Sequence, residues 1–327
     1  ASRLVKAEMA LQEREIRDRE MRRVLELGYA LKEESDRTVL HSVPVGFSID
    51  GSRGIRDPRG MFGHKLAVNM NLVTAPTTSL RNLASCIGRC HLGIGALVVS
   101  PYAAGLSVLV EDESELGVTV VDMGGGTTSL AVFFDGNLVF ADSVPVGGGH
   151  VTNDIARGLS TPIAHAERMK TLFGNAIASP ADERETITVP QVGEEDENQA
   201  NHIPKSLLVG IIAPRLEETF ELVRDRLEAS GFDKIVGRRI VLTGGAAQLP
   251  GTRELAGIIL DKQIRVGRPL RIAGLAEATN GPAFATTAGL IHFALSERAE
   301  IPRHGRELTE APNGLIGRFG HWIREYL

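Results

Sequence analysis

Val120-Val121-Asp122-Met123-Gly124-Gly125-Gly126-Thr127-Thr128 is the stretch of this chain best suited to chemistry. An apolar strand pattern ends on a carboxylate, and three glycines follow. Without Cβ atoms the backbone can turn its N–H groups inward, and such a nest of amides suits a phosphate. Thr127 and Thr128 can add hydroxyl donors. Asp122 is placed to hold a hydrated Mg2+ that bridges phosphate oxygens. The plain alternative is a glycine-rich hairpin with no ligand.

Two weaker clusters lie downstream. Gly147-Gly148-Gly149 precedes a helical pattern, and helix N-termini favour anions. Glu167 and Lys170 are three apart on one helix face, which alone reads as a surface ion pair. Thr243-Gly244-Gly245-Ala246 ends an apolar strand and opens a helix. Gly244, Gly245 and Ala246 would let the backbone pass close to a flat ring.

Cys86 and Cys90 are the only cysteines. Their spacing shares a helix face, and with His91 beside them a metal is conceivable, but no second ligand cluster accompanies them. Packed, reduced thiols are the better reading, consistent with a cytoplasmic protein. The 327 residues allow about two domains. A composition 43% hydrophobic and 24% charged excludes collagen-like and disordered classes, and a net charge of −5 gives no basic field for nucleic acid. No apolar run of about 18 residues exists, so no helix is predicted to span a membrane.

The elements that must position these residues follow from periodicity. Residues 1–37 carry nine acidic and nine basic side chains, a solvated face rather than a nucleic-acid arm. Strands are predicted at 5–11, near 39–49 and at 66–73, with a helix capped by Asp18 between the first two. Ser48-Ile49-Asp50-Gly51-Ser52 reads as a turn. A helix is predicted at 77–89, a strand at 96–99, a helix at 103–110 and an acidic turn at 111–115. Strands at 118–122, 128–134 and 138–146 make a meander closed by Asp135-Gly136-Asn137. Helices at 151–159, 163–173 and 205–230 flank an acidic loop over 192–204. A strand at 239–242, another helix, a strand near 264–266 and a helix at 284–295 complete the globular part.

The order strand-D-x-G-G-G-T, hairpin, G-G, E-x-x-K, T-G-G-A-A resembles the second half of the actin-like fold shared by actin, DnaK-type chaperones and sugar kinases. That resemblance implies ATP with Mg2+: Asp122, Gly124, Gly125, Gly126, Thr127 and Thr128 at the phosphates and metal, with Gly148 nearby. It places Glu167, Lys170, Gly244, Gly245 and Ala246 at the nucleoside. Phrases at 39–44, 115–122, 240–248, 263–267 and 287–292 resemble the FtsA cell-division family along nearly the whole chain. The implied architecture is an α/β actin-like fold with an FtsA-type 1C subdomain at 1–76. Residues 77–117 would belong to subdomain 1A, 118–150 and 241–298 to 2A, and 151–240 to 2B. A linker would follow at 299–312. The sequence departs from the family in holding one aspartate-glycine phosphate loop rather than two, so the strands carrying the first are expected to be missing.

The family resemblance implies an adaptor rather than an enzyme. By Pro-x-Ala-Ala spacing, Ser100 stands where actin-like ATPases place a water-orienting Gln or Glu, which predicts at most very weak ATPase activity. The implied partners are the C-terminal tail of FtsZ, further copies of the chain, other division proteins and membrane lipid, at the cytoplasmic face of the division septum. Arg215 and Glu218 match the family's tail-binding positions; read alone they are a solvated pair. Leu315, Ile316, Phe319, Trp322, Ile323 and Tyr326 form a helical stripe in residues 313–327. At most about 22 Å long as a helix, the segment is too short to cross a bilayer and reads as an interfacial anchor. An actin-like ATPase, a sugar kinase and a PilM-type pilus assembly protein are the alternatives.

Overall fold

The computed structural model describes residues 2–30, 36–192, 201–234, 236–270 and 276–296. They form two units that divide at Val99 and Ser100, within the stretch 77–117 that the sequence groups as one piece.

The first unit is a four-stranded antiparallel sheet with helices. In chain order it contains β1 (Ser2–Glu15), α1 (Asp18–Tyr29), β2 (Arg37–Ile49), β3 (Ser52–Ile55), β4 (Phe62–Pro76) and α2 (Thr77–Arg89). The sheet order is β1-β4-β2-β3. The alternation in β4 sends Leu66, Val68, Met70 and Leu72 into one core with Ala7, Leu11, Phe47 and Ile49, and α1 adds Val24. Burying such side chains stabilises by about 1.5–3 kcal/mol each before entropy is counted.

The turn at Asp50-Gly51 has both residues at positive φ. The Asp50 carboxylate accepts the amides of His64 and Lys65, at 3.0 and 2.7 Å. That aspartate is consumed in closing the β2–β3 corner onto β4, as the reading of this motif as a turn requires.

Three expectations need correction here. The helix cap is Arg17, not Asp18: the Arg17 amide donates to the Glu20 carboxylate at 3.2 Å. Residues 96–99 form no strand, because no described strand pairs with them; the Val99 amide instead donates to His41 Nε2 at 3.1 Å. Cys86 and Cys90 are exposed, not packed, since α2 buries Leu80 and Ala84 on its other side. No metal-ligating group of three occurs among the described residues.

The second unit contains α3 (Ser100–Val108), α4 (Glu111–Leu116), β5 (Val118–Met123), β6 (Thr128–Phe134), β7 (Asn137–Val144), α5 (Gly148–Gly158), α6 (Ile163–Phe173), β8 (Thr186–Val189), β9 (Asn201–Pro204), α7 (Lys205–Ser230), β10 (Arg239–Thr243), α8 (Thr252–Leu260), β11 (Gln263–Val266) and α9 (Ala285–Leu295). Its main sheet has the order β11-β10-β5-β6-β7. Asp135 and Gly136, both at positive φ, make the tight β6–β7 hairpin. β5, β10 and β11 run parallel, with Thr243 opposite Asp122. Parallel pairing therefore delivers the ends of β5 and β10, and the glycine loops after them, to one edge of the sheet. That edge is where open parallel sheets bind ligands.

The acidic turn at 111–115 is instead the helix α4. Glu113, 8% exposed, accepts the Val110 amide at 3.3 Å and pairs with Arg265; a capping carboxylate held from another strand makes a helix where no apolar period exists. The loop expected over 192–204 ends in β9, which pairs with the unforeseen β8. The linker and helix expected at 299–327 lie outside the described residues. No helix among the described residues is long and apolar enough to cross a membrane.

Candidate nucleotide site

A cleft of about 500 Å3 opens beside the ends of β5 and β10, a size usual for small-molecule sites. Gly124, Gly125, Gly148, Glu167, Lys170, Gly245 and Ala246 line it. Sequence reasoning singled out all seven, from four separated segments. Asp122 and Gly244 meet at the adjoining strand ends, and Gly126 and Thr127 lie exposed on the loop.

The two glycine loops are joined backbone to backbone. Gly148 and Gly149 donate their amides to the carbonyls of Gly124 and Gly125 at 2.9 and 2.7 Å. A Cβ on Gly147 would lie 2.6 Å from the Gly124 oxygen and 2.8 Å from Gly125 carbon. The His150 ring accepts the Gly147 amide at 3.1 Å. The first amides of α5 are thus spent inside the protein, which corrects the expectation that this helix start offers them to an anion. The amides of Gly125, Gly126 and Thr127 make no hydrogen bond to a described residue. The anion-seeking donors lie in the first glycine loop.

Thr128 also departs from expectation. It is fully buried as the first residue of β6, and its hydroxyl donates to the Val146 carbonyl at 2.8 Å. Its single proton is committed there, leaving Thr127 as the exposed hydroxyl of the pair.

Asp122 has one described hydrogen-bond donor, the Thr286 hydroxyl on α9, at 2.9 Å. Gly244 crowds its other oxygen: with φ at +89°, a Cβ there would lie 2.6 Å from Asp122 Oδ1 and 2.5 Å from the Met123 carbonyl. Burial pushes the Asp122 carboxyl above its ordinary value, and the Thr286 bond only partly offsets this. No cation pairs with it among the described residues. A half-buried carboxylate without a described counter-charge is costly. Asp122 would suit a hydrated divalent cation, and the amides of Gly125, Gly126 and Thr127 beside it could receive phosphate oxygens.

Glu167 and Lys170 are more than a surface pair. Lys170 Nζ donates to Glu167 at 2.7 Å, to the Thr152 hydroxyl at 2.9 Å and to the Gly148 carbonyl at 3.1 Å. Thr152 in turn donates to Glu167. Burial opposes ionisation of Glu167, but the bonds from Lys170 and Thr152 outweigh it and hold its carboxyl below the ordinary value. The network ties α6 to the start of α5 and leaves a charged rim on the cleft. Val151, Leu216, Leu249 and Pro250 supply an apolar wall that sequence reasoning missed, because an apolar residue facing a cleft is indistinguishable in sequence from one facing the core. Thr152 and Thr286 were missed because single threonines carry no spacing signal.

Arg215 also has a partner beyond its own helix. Its guanidinium grips both oxygens of Asp154 on α5 as well as Glu218, which accounts for its raised pKa. It therefore braces α7 against α5, while Glu218 is about half exposed. The apolar residues expected to bind membrane, Leu315 to Tyr326, lie outside the described residues.

Residues 119–289 match the profile of the cell division protein FtsA, and residues 1–74 match the SHS2 domain inserted in FtsA. The cell division protein FtsA of Rhizobium meliloti (strain 1021) is 48% identical over 315 residues, which is 95% of this chain and 71% of that protein. Among solved structures, the PilM-PilN type IV pilus biogenesis complex superposes with a TM-score of 0.56 at 17% identity, covering 90% of this chain and 77% of its own. MreB5 of Spiroplasma citri bound to ADP gives 0.50 at 19% identity, covering 67% and 64%. These two likenesses establish an actin-like fold.

Proposed function

Because the chain belongs to the FtsA family of cell division proteins, we propose that it is a nucleotide-dependent division adaptor. In this reading it binds ATP with Mg2+, assembles with copies of itself and ties FtsZ filaments to the cytoplasmic face of the membrane at the septum. The observation that carries the nucleotide part is the cleft. Three glycine loops and the Glu167–Lys170 pair converge on it, next to the half-buried Asp122 carboxylate, which has no cation partner among the described residues. An ADP-bound actin-like neighbour supports the same reading. When bound, Mg2+ would neutralise phosphate charge; Asp122 would orient its water, and Lys170 would keep Glu167 at the nucleoside side.

Catalysis is expected to be slight. Ser100, the first residue of α3, offers neither the amide nor the carboxylate that orients an attacking water. The PilM-type reading explains the nucleotide cleft equally well; a sugar kinase would need a catalytic carboxylate that Ser100 does not supply. The match of residues 1–74 and the identity to named division proteins favour the adaptor.

The test is equilibrium binding of a fluorescent ATP analogue to the full chain. Saturable binding that requires Mg2+, is competed by ADP and weakens at least tenfold in Lys170→Met is the expected result. Absence of binding overturns the nucleotide assignment, and rapid steady phosphate release overturns the non-enzymatic one.

A further inference from the structure

The Thr286–Asp122 bond spans 164 residues of sequence and has no counterpart among the motifs read above. We propose that Thr286 is a positioning residue, holding Asp122 in the one orientation that receives the nucleotide's divalent cation; this rests on the nucleotide reading.

The geometry confines both carboxylate oxygens. Oδ2 takes the Thr286 hydroxyl at 2.9 Å, and Oδ1 lies so near Gly244 that a Cβ would approach within 2.6 Å. The remaining lone pairs are those left for a cation's water. Thr286 has little freedom of its own. The residue before it, Ala285, accepts the Ser107 hydroxyl at 2.7 Å. One turn further, a Cβ on Gly289 would lie 1.7 Å from the Ala103 carbonyl. That is the tightest approach at any described glycine, and it means that α9 lies directly on the backbone of α3. A hydroxyl needed only to satisfy a carboxylate could come from water or a mobile side chain. Here it is fixed by the packing of two helices, which suits a group that must not wander when a cation binds or leaves.

The experiment titrates Mg2+ against binding of the ATP analogue to the wild-type chain, Thr286→Val and Thr286→Ser. Val keeps the shape and removes the donor; Ser restores it. Thr286→Val is expected to need at least fivefold more Mg2+ for half-maximal binding, with affinity at saturating Mg2+ unchanged, and Ser to return within twofold of wild type. A second readout needs no nucleotide: melting temperatures of Asp122→Ala, Thr286→Val and the double variant. Non-additive shifts, with Thr286→Val costing nothing further once Asp122 is gone, are expected for direct coupling. A wild-type Mg2+ requirement in Thr286→Val, or a loss of affinity that saturating Mg2+ does not recover, overturns the proposal while leaving the nucleotide site standing. Failure of the wild-type chain to bind nucleotide overturns the site assignment itself and this proposal with it.

Discussion

Gly148 donates its amide to the Gly124 carbonyl at 2.9 Å, so the loop after β5 and the loop before α5 form one rigid floor under the cleft. The arrangement depends on the absence of a side chain at the neighbouring Gly147, where a Cβ would stand 2.6 Å from the same oxygen.

Gly147→Ala is therefore expected to push the two loops apart. Overpacking of this kind costs about 1–3 kcal/mol, and ATP-analogue binding should be lost. Gly210→Ala on α7, where nothing lies within 4 Å of the added Cβ, is the control. It should be neutral or stabilise by up to about 1 kcal/mol. Urea unfolding with parallel binding curves checks both; intact binding in Gly147→Ala would show that the floor yields.

Burial lowers the His41 pKa from 6.5 to about 4, and its neutral Nε2 accepts the Val99 amide. A depressed folded pKa stabilises above the unfolded value, and that stability is lost as pH falls from about 6.5 towards 4. The full loss is on the order of 3 kcal/mol. Melting followed across this window should show a downward slope in wild type and a flatter one in His41→Gln. Parallel slopes in the two proteins would locate the acid sensitivity elsewhere.

Arg215→Ala removes the brace to Asp154 and is expected to cost about 1–2 kcal/mol, since the pair is only partly exposed. Glu218→Ala should change stability by less than about 0.5 kcal/mol. A charge reversal at Arg215 would confuse folding with partner binding, because it sets a carboxylate against Asp154 and Glu218. Glu218→Lys is the cleaner probe: the FtsZ C-terminal peptide should bind at least fivefold more weakly with melting unchanged. Undiminished peptide affinity would remove Glu218 from the docking surface.

Deletion of residues 313–327 should release the full chain from vesicles containing anionic lipid, and Trp322→Glu should do nearly the same, because the stripe of apolar residues loses its interfacial anchor. Vesicle flotation measures this. Flotation unchanged by the deletion would defeat the membrane assignment.

Much of the fold was legible because local chemistry repeats itself in sequence. The alternation in β4, the Asp135-Gly136 hairpin and the long apolar stripe of α7 each state their structure within one segment. α4 was not legible: its N-cap is Val110, whose amide goes to the Glu113 carboxylate that Arg265 on β11 holds. Residues 96–99 looked like a strand because an apolar run suits one, yet a strand exists only where another supplies its hydrogen bonds.

The candidate site divides the same way. By itself the sequence grouped these glycines, this carboxylate and this helical pair through the order of motifs that resembles the actin-like fold; read singly, each motif left a structural alternative. Only the tertiary structure decided how they act. Parallel pairing of β5 with β10 brings Asp122 beside Gly244. The amides of α5 are spent on Gly124 and Gly125, and the Thr128 hydroxyl on Val146. α9, pressed onto α3 at Gly289, carries Thr286 to Asp122. Each of these is a hydrogen bond or a steric limit between residues far apart in the chain, and no local pattern records such a partner.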